Sequence, residues 1–186
     1  MIGDKELGID GVKLIQSYQY TDSRGKFLKY LPNNYLTQKL DSVALSVNSN
    51  IGTIRGIHFQ TYPFAEEKLI SCIKGSTYEV IIDLRPNSQT LGKIVTFELS
   101  EGNARQVYLP QGIAHGYQTL EENTIVQYIL TSEYSQIHSF SIDPIRNIEF
   151  NWPINQIIIS DKDANGLSIS EACHLYRNSI EESSSQ

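Results

Sequence analysis

Apolar and polar residues alternate with a period of two over much of the chain, the mark of strands with one buried face. The alternation is clear at 68–73, 77–84, 93–99, 105–109, 124–130 and, briefly, 139–142. Gly75, Arg85-Pro86-Asn87-Ser88 and Pro110-Gln111-Gly112 punctuate these runs with residues suited to turns. Short strands separated in this way predict an all-β sandwich or barrel. Two stretches predict helix, 32–38 and 170–179. In the second, Ser170 is placed to cap the N-terminus, and Ala172, Leu175 and Tyr176 share a face. The polar tail from about Glu181 is expected to fray. With no repeat, linker or low-complexity insert, one domain over 1–186 is expected.

Composition narrows the class. Apolar residues make up 40% of the 186, with 11 Tyr and 6 Phe, which supplies a core; at 19% charged the chain is no disordered tail. Fifteen Lys and Arg against 21 Asp and Glu give a net charge of −6. That argues against a general nucleic-acid surface and leaves room for a local basic pocket holding a small anion. No apolar run approaches the length of a membrane span. The start, Met1 to Gly11, carries acids where a secretory signal is basic and then apolar. Cys72 and Cys173 form neither a disulfide framework nor a zinc spacing, so a cytoplasmic protein with reduced thiols is expected. Dinucleotide, P-loop and HExxH motifs are missing, and His58, His115, His138 and His174 make no His-x-His pair. The sequence therefore makes no case for a dinucleotide or P-loop site, and a three-His metal site is possible but unsupported.

Several fragments carry chemistry-bearing residues. In Ile54-Arg55-Gly56-Ile57-His58-Phe59-Gln60, Arg55 and His58 lie on opposite faces if the segment is extended, or enter one pocket if it bends at Gly56. His115 lies between Gly112 and Gly116, where the backbone turns or is closely approached. Ser160-Asp161-Lys162-Asp163 follows an apolar run and, alone, reads as a solvated loop. Each fragment has a plain alternative: a surface Arg, a hydrogen-bonded or turn His, a core Tyr at 128, an exposed strand-end aromatic at Tyr134.

Their order is more specific than any one of them. Asp22-Ser23-Arg24-Gly25-Lys26-Phe27, Arg55-Gly56-Ile57-His58-Phe59-Gln60, Lys68-Leu69, 80–88, Pro110-x-Gly112-x-Ala114-His115-Gly116, Asn151-Trp152-Pro153 and Ser160-x-Lys162-Asp163 occur in sequence. This set resembles the dTDP-4-dehydrorhamnose 3,5-epimerase family of nucleotide-sugar enzymes, from about Gly11 to Asp163. The resemblance implies a cupin-type jelly roll, a homodimer and catalysis without metal or cofactor. The implied substrate is a nucleoside-diphosphate 4-keto-6-deoxyhexose, inverted at C5, C3 or both through an enolate, in deoxysugar supply for polysaccharides such as O-antigen. Inversion removes a proton from one face and delivers one to the other, which asks for two groups across the ring. The resemblance implies His58 as base, Asp163 as the carboxylate that orients it, and Tyr128 as donor on the opposite face. It further implies Lys68 at the enolate oxygen, Arg55, Gln60 and His115 around the pocket, and Arg24 and Lys162 on the diphosphate. Tyr134 matches the aromatic stacked on the base, with Phe27 at the same end.

Departures from the family pattern cluster at the nucleoside end. Lys26 and Lys29 stand where the family has an aromatic and an acid, Ser139 stands where it has Glu, and 45–50 lacks its Gln-Asp-Asn stretch. The catalytic set is intact. The alternatives are therefore a C5 epimerase of a CDP-linked 3,6-dideoxy-4-hexulose, a related ketoisomerase, and, outside enzymes on such sugars, a sugar-binding module or metal cupin.

Overall fold

The structure, a computed structural model, describes residues 4–30, 35–146 and 148–185. Among these the strands are β1 (Asp4–Glu6), β2 (Lys13–Gln16), β3 (Tyr18–Asp22), β4 (Gly25–Lys29), β5 (Ser42–Asn48), β6 (Ile54–Gln60), β7 (Lys68–Lys74) and β8 (Ser76–Asp83). They continue as β9 (Ile94–Ser100), β10 (Arg105–Leu109), β11 (Ile113–Thr119), β12 (Thr124–Leu130) and β13 (Ser139–Ser141), followed by helices α1 (Asp161–Ala164) and α2 (Ile169–Ser183). One sheet has the order β1-β2-β10-β7-β12-β5 and the other β13-β6-β11-β8-β9. From β5 to β8, and again from β9 to β12, successive strands alternate between the sheets, with β8 and β9 paired as neighbours. This is the jelly roll the resemblance implies, and it agrees with the all-β sandwich or barrel read from the alternation. β3 and β4 form a separate hairpin.

Period-two burial explains the layering. Ile70, Cys72, Val107 and Val126 of one sheet meet Ile81, Leu99, Ile113 and Tyr117 of the other to form the core. In β8 the intervening Val80 and Ile82 point outward, where Ala172 and Tyr176 of α2 and Trp152 cover them with Ile57. Each such aliphatic side chain contributes ~1.5–3 kcal/mol when fully buried. The outer face of the six-stranded sheet, Ile15, Leu69, Tyr108 and Ile129, is covered by Tyr35 and Leu36.

Four expectations change. Helix α2 is capped by Ser168, not Ser170: the Ser168 hydroxyl accepts from the Glu171 N–H, and the Glu171 carboxylate accepts from the Ser168 N–H. The helix runs through 181–183 rather than fraying there, held by Ile180 against the core. Of the helix expected at 32–38, residues 32–34 lie outside the described residues and 35–38 are not helical. The Thr37 and Gln38 N–H groups donate to the buried Glu67 carboxylate, which competes with helix formation. The expected loop at 160–163 closes into α1, with the Ser160 hydroxyl accepting from the Asp163 N–H. No helix among the described residues is long and apolar enough to cross a membrane.

Candidate active site

A cavity of about 280 Å³ opens between the two sheets. Arg55, His58 and Gln60 of β6 and His115 of β11 form one wall; Lys68 of β7 and Tyr128 and Leu130 of β12 form the facing one. Tyr134 and Lys162 stand at its rim, both exposed. Eight of the polar or aromatic residues singled out in the sequence thus gather with Asp163 behind them.

His58 and Asp163 are 105 residues apart and form a 2.6 Å hydrogen bond between Nε2 and Oδ1. Helix α1 brings the carboxylate up behind the ring. Burial disfavours the ionised Asp163, but His58, the Ser141 hydroxyl and the Gly56 N–H outweigh it and hold the carboxyl down to about 2. Ser141 Oγ donates at 2.9 Å and the Gly56 N–H at 3.4 Å. With the Nε2–H donated to Asp163, Nδ1 carries the basic lone pair.

Glycine decides where β6 points. Gly56 has φ +110°, and a Cβ there would lie 2.7 Å from both the Gly116 Cα and the His115 carbonyl oxygen. The pairing of β6 with β11 shifts register between His115 and Tyr117. This irregularity breaks strict alternation, so Arg55 and His58, three apart, line one cavity. The bend left open by the spacing is the arrangement found.

A second His–carboxylate pair stands beside the first. His115 is the register partner of His58, and its Nε2 lies 2.5 Å from Glu79 Oε2. Both are buried, and burial pushes His115 down against the opposing pull of Glu79. Across the cavity the Tyr128 ring meets the His115 ring edge-on, with centroids 6.0 Å apart. Burial, with Tyr117 and Glu79 nearby, raises the Tyr128 phenol well above its ordinary value. Its proton therefore stays in place at neutral pH. Lys68 is nearly buried; its Nζ lies 3.2 Å from Glu66 Oε1 and donates to the His58 carbonyl oxygen at 3.4 Å.

Further hydrogen bonds fix the walls. Arg55 Nε donates to Asn48 Oδ1 at 2.8 Å, and Asn48 is held by Tyr117 and Thr124. Gln60 is clamped between the Phe64 and Glu133 carbonyls and accepts from the Ser135 N–H at 2.8 Å, which positions the loop carrying Tyr134. Arg24 and Phe27 are elsewhere. Both lie on the β3–β4 hairpin, where Arg24 pairs with Asp22 and Phe27 is 64% exposed, outside the cavity of this chain.

A family model described as dTDP-4-dehydrorhamnose 3,5-epimerase matches residues 6–171. The chain belongs to that family. It is 37% identical over 176 residues to the dTDP-4-dehydrorhamnose 3,5-epimerase of Sinorhizobium fredii, covering 90% of this chain and 89% of that protein. Its structure is similar to the dTDP-4-dehydrorhamnose 3,5-epimerase of Bacillus anthracis with TDP and PPi bound, at a TM-score of 0.82 and 33% identity, covering 89% of this chain and 99% of that one. It is also similar to dTDP-6-deoxy-D-glucose-3,5-epimerase of Legionella pneumophila in complex with dTDP-4-keto-L-rhamnose, at 0.85 and 29%, covering 91% and 94%. Membership makes the chain a carbohydrate isomerase of the epimerase class on a cupin jelly roll.

In this 3,5-epimerase family member, Ser139 lines the cavity, so the Ser-for-Glu departure faces the ligand space. Lys26 and Lys29 lie with Arg24 and Phe27 on the hairpin. Sequence reasoning missed Glu66, Glu79, Asn48 and Ser141. Glu79 shares the inward face of β8 with Ile81 and was readable from alternation; Glu66 lies two residues from Lys68 but precedes β7. Asn48 and Ser141 carry no such signal.

Proposed function

We propose that the chain inverts C5, C3 or both of a nucleoside-diphosphate 4-keto-6-deoxyhexose, with His58, Tyr128 and Asp163 as its catalytic residues. One observation carries this reading: a carboxylate-backed imidazole on one wall faces a proton-retaining phenol on the other. Nδ1 of His58 takes the proton beside the C4 ketone, and Asp163 stabilises the imidazolium that forms. The charge moves to the C4 oxygen as an enolate, where Lys68 supplies a donor; one such donor is worth ~2.7–4 kcal/mol in comparable sites. Tyr128 then returns a proton from the opposite face, which inverts the carbon. A carbanion is far more basic than a phenolate, so a phenol with a raised pKa still donates.

Lys162 at the rim is the cation of this cavity that we assign to the diphosphate, with Arg55 on the pocket wall and Tyr134 stacking on the base. The TDP and dTDP-sugar ligands of the two structural relatives support a deoxythymidine carrier. The departures at the nucleoside end, of which Ser139 lines the cavity, motivate a second reading, a CDP-linked carrier. Calorimetry with dTDP and CDP separates the two, and clear preference for dTDP rejects the second.

The working unit in this proposal is a homodimer. β5 ends its sheet with Val43, Leu45 and Val47 turned outward and more than half exposed, and Tyr18, Tyr20 and Phe27 are equally bare on the hairpin. A second copy covering these surfaces relieves an edge strand and an apolar patch together. It also offers Arg24 and Phe27 to the partner's cavity. The test of the function is proton NMR in heavy water with a panel of nucleotide-linked 4-keto-6-deoxy sugars. Loss of the H3 or H5 signal with inversion supports it; no exchange into any of them rejects it.

A further inference from the structure

Glu66 has no part in the steps above, yet its carboxylate lines the cavity. The side chain is 10% exposed, and Oε1 lies 3.2 Å from Lys68 Nζ. Because Lys68 also donates to the His58 carbonyl, Glu66 sits at the reacting end of the cavity. Among the described residues Lys68 is its partner, so Oε2 has no donor. An ionised carboxylate can only accept. A buried acceptor without a donor costs more than an exposed one, and a charged acceptor most. A substrate that fills the cavity and excludes water must bring a donor to Oε2 or bind against that cost.

The substrate class narrows what this donor is, and here the inference rests on the epimerase reading. A carboxylate repels the diphosphate. The ring oxygen, the C4 carbonyl and the C6 methyl donate nothing. The hydroxyls on C2 and C3 remain. We infer that Glu66 is a specificity-determining residue that accepts a hydrogen bond from one of these hydroxyls and so rejects sugars deoxygenated at that carbon. Lys68 makes this compatible with an enolate in the same space. Its ammonium balances the Glu66 charge and has three N–H groups, one of which goes to the His58 carbonyl.

The experiment compares kcat/KM for solvent-deuterium exchange in the wild type, Glu66→Ala and Glu66→Gln. The substrates are a nucleoside-diphosphate 4-keto-6-deoxyhexose with both hydroxyls and its 2-deoxy and 3-deoxy analogues. The wild type is expected to prefer the hydroxylated sugar over one analogue by ~100-fold or more, as sites built to bond a hydroxyl do. Glu66→Ala should bring that ratio below ~10-fold, and Glu66→Gln, a neutral acceptor of the same size, should fall between them. Removing the counter-charge of Lys68 slows all three sugars together, so a purely structural role leaves the ratio unchanged. If Glu66→Ala does not fold, a ratio in Glu66→Gln equal to that of the wild type overturns the inference. So does a wild type that treats the three sugars alike while exchanging all of them. A wild type that exchanges none overturns the epimerase reading itself.

Discussion

Asp163→Asn removes one charge and almost no volume from the site. In the wild type, Oδ1 accepts from His58 Nε2 at 2.6 Å and from Ser141 at 2.9 Å, while Oδ2 faces the Gly56 N–H at 3.4 Å. Asparagine cannot reproduce this set. If its oxygen faces His58 and Ser141, its amide nitrogen meets the Gly56 N–H, donor against donor. If it flips, the amide nitrogen faces His58 and favours the tautomer with Nε2 unprotonated, which takes the lone pair from Nδ1. Either way the imidazolium formed on proton abstraction loses its counter-charge. A hydrogen bond to a charged group contributes ~1.5–3 kcal/mol, so kcat/KM for exchange should fall by ~10- to 150-fold. Proton NMR in heavy water reads exchange directly, and circular dichroism confirms the fold. Exchange within threefold of the wild type would refute the pairing as a catalytic device.

Tyr128→Phe should retain exchange through His58 yet lose inversion by ~10²–10⁴-fold, the usual worth of a positioned acid; inverted product at the wild-type rate counts against a donor at that position. Gly116→Ala places a Cβ 2.9 Å from the Arg55 carbonyl oxygen and 3.1 Å from the Ile57 Cα, both backbone atoms. It should destabilise the fold by ~1–3 kcal/mol and impair activity, because the β6 bend moves; an unchanged Tm and rate contradict this. Asp163 and Asp83 are both held down to about 2, for Asp83 against its burial by Arg85, Ser88 and Thr90. A depressed folded-state value contributes stability above the unfolded value near 3.9 that is lost as pH falls toward the folded value. The urea midpoint should therefore hold down to pH ~4 and fall between ~4 and ~2, with a smaller fall in Asp83→Asn; a flat midpoint over that window is the contrary result.

The strands that packed within the chain were legible in its pattern. The bounds of β10 and β12 coincide with the alternating runs, because one face of each meets the core and turn residues follow. β3, β4 and β5 were not. The hairpin is exposed along most of its length, and β5 turns Val43, Leu45 and Val47 outward and Ser46 and Asn48 inward, the reverse of an ordinary half-buried strand. Within the site, spacing left the face of Arg55 and His58 open, because the deciding contact is with Gly116, 60 positions on. The His58–Asp163 pair was reached through ordered motifs, since two residues in different elements leave no periodic trace. Glu79 differs, because alternation around Ile81 already aimed it inward; Glu66 precedes β7, outside the alternating run.

The central claim is that His58 removes the proton beside the ketone. It is tested most directly by following deuterium entry into a nucleotide-linked 4-keto-6-deoxyhexose with the wild type and with His58→Asn. The wild type should exchange at each carbon it inverts, and the variant, folded and still binding the nucleotide, should lose ~10²-fold or more of that exchange. Exchange in His58→Asn within tenfold of the wild type would contradict the account.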